Sequence, residues 1–135
     1  MLTLRKSEVS AEFIMLVGFI LLIFIFILVT TSSKTAEVTE TTIYSDAQKI
    51  ADFIANEINF AASIRGYYRN FDLNPKLTND IEYDVSINTD LRFVEVKWDN
   101  KSVISNIITE NISGTINPIV TNKIKNDEGM VIIES

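Results

Sequence analysis

The 135-residue chain contains no cysteine and no histidine. Their absence excludes disulfide bonds, thiolate and imidazole metal ligands, and the side chain that serves most often as a general base. Catalysis would depend on carboxylates alone, and the sequence holds no glycine-rich phosphate loop and no metal-binding motif. The residues therefore predict neither an enzyme nor a cofactor or metal.

Basic residues are also scarce, because 12 Lys and Arg stand against 18 Asp and Glu, a formal net charge of −6. Two of the basic residues, Arg5 and Lys6, lie in the first seven positions. Without residues 1–7 the balance is 10 basic against 18 acidic residues, or −8. A chain of this sign repels phosphate backbones, so nucleic acid is not an expected partner.

The acidic residues include a local cluster of Asp80, Glu82, Asp84 and Asp90. The first three alternate, which places them on one face of a predicted strand. They lack the glycine turn and the closing bidentate glutamate of a calcium loop. A solvated face of a sheet explains the cluster better than a metal site or a catalytic carboxylate pair.

A long apolar run is the most prominent feature of the sequence. Phe13–Val29 contains 17 consecutive residues without a polar side chain, about 25 Å of helix at a rise of 1.5 Å per residue. A cleaved secretory signal has a shorter apolar core, which a small-residue cleavage site follows. The run therefore predicts a membrane-spanning helix. Arg5 and Lys6 before it predict a cytoplasmic N-terminus, with the rest of the chain outside the cell.

Glu12 adjoins the apolar run directly, where a charged carboxylate is costly unless it is paired. In one interpretation Glu12 lies at the membrane interface and extends its carboxylate toward water. In the other it is the acidic residue of a signal of type IV pilin type.

Residues 6–13 resemble the class III signal peptide of archaeal type IV pilin-like proteins, in which a short basic leader meets a Gln-x-Ser-x-Glu core before the hydrophobic helix. On this resemblance Lys6 is the basic residue before the cleavage junction, Ser7 is the last leader residue and Glu8 is the first mature residue. Glu8 stands where glutamine is usual, and Ser7 where glycine is usual.

The core of the signal matches at Ser10 and Glu12. The resemblance implies that a prepilin peptidase removes the leader and leaves the hydrophobic helix in place. It also implies that Glu12 pairs with the new N-terminal amine of Glu8 in a neighbouring copy, which neutralises a charge in a medium of low dielectric constant.

Two functions from different classes follow. The resemblance implies a major or minor structural subunit of an archaeal pilus-like or adhesion filament, whose partners are the peptidase, the membrane, and copies of itself or related pilins. The alternative is a monomeric, single-pass surface protein that acts as a binding or stator-like module.

After the apolar run, residues 30–36 are polar and rich in β-branched residues, so a loosened turn is expected there. The helix then resumes with a stripe of small and branched apolar residues, and Glu57 lies off this stripe. The stripe comprises Ile43, Ala47, Ile50, Ile54, Ile58, Ala61 and Ile64. Gly66 is expected to end the helix.

The period then changes to the alternation of strands, first at Ile81–Ile87 and again at Val94–Trp98. Asp99-Asn100 predicts a hairpin turn, and Met130–Glu134 predicts the last strand. The predicted fold is α+β and pilin-like: a long N-terminal helix, membrane-spanning in its first half, with a small antiparallel sheet of about five strands on its second half.

This fold predicts four segments along the chain. They are a leader at 1–7, a hydrophobic transmembrane or filament-core helix at 8–31, an amphipathic continuation at 32–66, and an extracellular antiparallel sheet domain at 67–135.

Two further features leave alternatives open. The loop from Gly66 to Asn79 carries several aromatic residues, which either fill the gap between helix and sheet or form a contact surface. The sequons at Asn100 and Asn111 are candidate N-glycosylation sites. With 12 Asn and 23 Ser plus Thr, chance alone supplies about two sequons, so their presence decides nothing.

Overall fold

The computed structural model describes the backbone of residues 2–135 and the side chains of residues 11–32, 34 and 37–135. One helix, α1, covers Leu2–Ser63. Seven strands and a one-turn 3₁₀ helix at Thr78–Asp80 follow it. The strands are β1 Tyr68–Phe71, β2 Asp84–Asn88, β3 Phe93–Trp98, β4 Lys101–Asn106, β5 Ile112–Gly114, β6 Asn122–Asp127 and β7 Met130–Glu134.

The chain divides into two compact units, Met1–Glu40 and Thr41–Ser135. We call the second unit the head, and we call Phe13–Val29 in the first unit the apolar segment. The predicted loosened turn is absent, because residues 30–36 remain helical. Thr30 Oγ1 donates to the carbonyl of Phe26 at 2.9 Å and Ser32 Oγ to that of Leu28 at 3.0 Å. These hydroxyls bond within the helix and do not interrupt it.

The core of the head forms along the predicted stripe of α1. Ala47, Ile54, Ile58 and Ala61 are fully buried, and they pack against inward-facing residues of the strands. Ile64 was predicted on the same stripe, but it is 49% exposed. The helix ends at Ser63, so Ile64 lies beyond the last packed turn.

The strands form two sheets. One has the order β1-β6-β7-β5 and the other the order β2-β3-β4. The α+β class with a long N-terminal helix and a small sheet domain is confirmed. The strands number seven and not about five, and they form two sheets. The strand β5 runs parallel to β7, and with only three residues it is too short to show an alternating pattern in the sequence.

Several strand boundaries agree with the sequence pattern. The last strand is β7, Met130–Glu134, as predicted, and Asp99-Asn100 forms the turn between β3 and β4. The strand expected from Ile81 begins only at Asp84. The carbonyl of Ile81 accepts a hydrogen bond from Leu77 N at 2.9 Å, so it belongs to a local turn and not to the sheet.

The segment expected to be a loop, Gly66–Asn79, contains strand β1. Phe71 in this strand is 5% exposed and packs edge to face on Phe53, so it fills the gap between helix and sheet. Tyr68 is 63% exposed and does not fill this gap. The aromatic residues of this segment therefore divide between core and surface.

Candidate functional site

The apolar segment exposes every large side chain that it contains. The exposed fraction runs from 39% at Val17 to 75% at Met15. Within the described part of the chain these side chains stay exposed, whereas the part of α1 in the head is buried along one stripe. This is one helix near the N-terminus that is long and apolar enough to cross a membrane by length and composition.

Glu12 lies at the start of this surface and is exposed. Among the side chains that the structure describes, none forms an ion pair with it. The other residues of the predicted signal, Lys6, Ser7, Glu8 and Ser10, lie outside the described side chains.

The sequence did not indicate that Glu57 is buried. Its side chain is 4% exposed and its carboxylate accepts from Arg69 at 2.6 Å and from the Tyr67 hydroxyl at 2.9 Å. Hydrogen bonding to Tyr67 and the nearby Glu57 charge raise the pKa of Arg69, while burial raises the pKa of Tyr67. These three side chains form a structural cluster that ties β1 to the helix. In the sequence, Glu57 lies three residues after Ile54 and four before Ala61, the spacing of one helix face, but its charge favoured an exposed position.

The residues of the acidic cluster do not come together at one place. Glu82 and Asp84 line a cleft, whereas Asp80 is exposed at the end of the 3₁₀ helix and Asp90 is exposed in the turn between β2 and β3. Among the described residues, no three carboxylates lie close enough together to hold a metal ion.

The cleft has a volume of about 600 Å³, and Tyr83 and Trp98 are among the residues that line it. Both rings are almost fully buried. The Tyr83 hydroxyl donates to the carbonyl of Asn74 at 2.5 Å, and burial raises the pKa of Tyr83 to about 12. Tyr83 is therefore a fixed hydrogen-bond donor at neutral pH and not a base or a nucleophile.

Both sequon asparagines are exposed. Asn100 lies in the turn between β3 and β4, and Asn111 directly precedes β5. The backbone at Asn111 is fixed, because its carbonyl accepts from Val131 N at 2.9 Å. A glycan at either amide would project into solvent.

The head has carboxylates that favour the charged form, and this predicts loss of stability in acid. A hydrogen bond from Thr78 is the main cause that lowers the pKa of Asp46, with Lys49 at 3.3 Å as a further cause. A hydrogen bond from Lys97 lowers the pKa of Glu95 in the same way.

We expect the stability from Asp46 to be fully present above the ordinary value of 3.8 and lost as pH falls through the lowered pKa. The check is thermal unfolding of the full chain in detergent between pH 7 and pH 2. Asp46→Asn is expected to flatten this acid decline. An equally steep decline in Asp46→Asn would contradict the role of Asp46.

Comparisons of this chain with protein-family models, with curated proteins and with solved structures find no match.

Proposed function

We propose that this chain is a structural subunit, major or minor, of an archaeal type IV pilus-like surface filament. In this proposal a prepilin peptidase cuts between Ser7 and Glu8, and the mature chain carries the apolar segment at its start. The likeness of residues 6–13 to the class III signal peptide supports the site of cleavage.

The observation that carries the proposal is the exposure of the whole apolar segment. A helix with apolar side chains on every face is stable in lipid or in a bundle of like helices. Cleavage on the cytoplasmic side keeps this helix, so one surface serves first as membrane anchor and later as filament core. The head then lies outside the cell, as the basic residues before the helix favour.

A monomeric, membrane-anchored binding module is the second candidate. The observation that favours it is the cleft that Tyr83 and Trp98 line together with charged residues, because aromatic and polar side chains are combined in many binding sites. This candidate predicts the same membrane topology but no assembly.

Two measurements test the proposal. The intact mass of the purified chain is expected to correspond to a protein that begins at Glu8, and Ser7→Phe is expected to retain the leader, because the bulky side chain replaces a small one at the junction. Filaments sheared from the cell surface are expected to contain the processed chain. A chain that keeps Met1, or that is recovered only as a detergent-solubilised monomer, would contradict the filament function.

A further inference from the structure

The outer side of the β2-β3-β4 sheet carries an exposed apolar patch. Val94 and Val96 face the core, so Phe93 and its neighbours at alternate positions face outward. Ile104 is 53% exposed, Ile108 60% and Leu91 71%. A hydrogen bond from Ile107 N to the carbonyl of Arg92 joins the two segments that carry Leu91 and Ile108. We call Leu91, Phe93, Ile104 and Ile108 the β4 patch.

Helix side chains already occupy part of the free backbone edge of β4. Gln48 Nε2 donates to the carbonyl of Ile104 at 3.3 Å, and Asn59 Oδ1 accepts from Ile108 N at 2.9 Å. Occupied edge groups disfavour the addition of a further strand. A partner on this side therefore contacts the side chains of the patch and does not extend the sheet.

A second apolar patch lies at the C-terminal end of α1. Phe60 and Ile64 are one helical turn apart, and Ile64 N donates to the carbonyl of Phe60 at 3.1 Å. Their side chains are 55% and 49% exposed. We call this pair the helix-end patch.

The two patches lie on opposite flanks of the head. Gln48 and Asn59 bond to the β4 side, whereas Glu57 bonds to Arg69 on β1, the far edge of the other sheet. Ile64 is seven residues after Glu57, two full turns along the same flank. The Ile108 end of the β4 patch lies level with the helix-end patch, because Asn59, which accepts from Ile108 N, directly precedes Phe60.

One exposed charge next to each patch is of opposite sign, and Asp127 and Glu128 line the same hollow as Arg65. Asp90 precedes Leu91 of the β4 patch, and Arg65 follows Ile64 of the helix-end patch. Both residues are exposed. Within the described part of the chain neither takes part in an ion pair.

We propose that the heads of neighbouring copies contact side by side, with the β4 patch of one copy on the helix-end patch of the next and Asp90 facing Arg65. This inference rests on the proposed filament function. The two surfaces differ, so the contact is heterologous, and it repeats from copy to copy without closing a pair.

The size of the patches explains why the contact needs the anchor. A stable free interface buries about 800 Å² on each partner, well above what two helix-end side chains supply. The contact therefore forms only between copies that another interface already concentrates, which is what packed apolar segments do.

Disulfide trapping tests this contact, because the chain has no cysteine of its own. A full-length chain that carries Ile64→Cys and Leu91→Cys together is expressed in cells and treated with a mild copper(II) oxidant. We expect a ladder of dimers, trimers and higher species on a non-reducing gel, and monomer after reduction. Each single variant should give no ladder. The matched control pairs Leu91→Cys with Ile119→Cys, a side chain that is 81% exposed but outside both patches.

Charge exchange gives a second readout. Arg65→Glu and Asp90→Lys are each expected to reduce filament yield severalfold, because like charges then face each other across the contact. The two changes in one chain should restore the yield. Failure of the double variant to recover would overturn the pairing of these two residues.

The outcomes separate this contact from the filament function. Normal filaments with no ladder from the Ile64 and Leu91 pair, or an equal ladder from the control pair, would overturn the contact and keep the function. A specific ladder without filaments would keep the contact and overturn the function. If the double-cysteine variant gave no ladder and cells with the unmodified chain gave no filaments, both the contact and the function would be overturned.

Discussion

Replacing Gly114 by alanine is expected to unfold the head at ordinary temperatures or to lower its stability sharply. Gly114 ends β5, which pairs in parallel with β7, and its φ is +106°. A Cβ at this position would lie 1.9 Å from the carbonyl oxygen of Ile133. That oxygen belongs to the backbone of β7, so relief requires a shift of a whole strand. We expect a loss of about 3 kcal/mol or more in the free energy of unfolding.

Gly129→Ala is the matched control for this substitution. Gly129 also has a positive φ, +97°, but nothing lies within 4 Å of the Cβ that alanine would add. The Gly129→Ala variant therefore measures only the cost of a positive φ in alanine, about 1 kcal/mol in the free energy of unfolding. The measurement is unfolding of the full chain in detergent, followed by the fluorescence of Trp98, the single and buried tryptophan. Equal losses in the two variants would show that the close approach to Ile133 does not matter.

The parts of the fold that the sequence predicted are those with long, regular periods. The apolar stripe of α1 and the alternation in β3 each repeat often enough to identify the element and its buried face. The strand β7 was also predicted with correct bounds, because Gly129 marks the turn before it. These features are local, so the sequence of each segment identifies them without information about the segments that pack against it.

The parts that the sequence did not predict depend on distant contacts. The strand β5 forms because Ile112–Gly114 pairs with β7, which lies 19 residues later in the chain. Three residues are too few to show an alternating pattern. Glu57 looked like an exposed residue until Tyr67 and Arg69, ten and twelve positions later, supplied its partners. Burial of a charge follows from its partners and not from its neighbours in sequence.

The candidate site divides in the same way. The apolar segment and Glu12 were identified from the sequence, because a run of 17 apolar residues is itself the signal. The β4 patch was not, because Leu91, Ile104 and Ile108 come together only through the register of β3 and β4 and the hydrogen bond to Arg92.

The charge of Glu12 is expected to have opposite effects on membrane insertion and on filament assembly. An acidic side chain in the centre of a spanning helix costs about 3 kcal/mol, and less at its edge. Removal of the charge therefore helps insertion or leaves it unchanged. In an assembled bundle, however, the same charge is the expected partner of the amine of a neighbouring Glu8, and an unpaired amine there costs several kcal/mol.

We therefore expect Glu12→Gln to reach the membrane and to be processed normally, yet to lose filaments by more than about tenfold, since 1.4 kcal/mol already changes an equilibrium tenfold. Three measurements on the same cells separate these steps: membrane recovery, the mass of the mature chain, and the amount of chain in sheared filaments. Glu37→Gln, at another exposed glutamate of the same helix, controls for the loss of one negative charge. Because glutamine keeps the size and the hydrogen-bonding oxygen of glutamate, a defect at Glu12 alone assigns the effect to its charge. Unchanged filament yield in Glu12→Gln would remove the pairing role and leave Glu12 as a residue of the membrane interface.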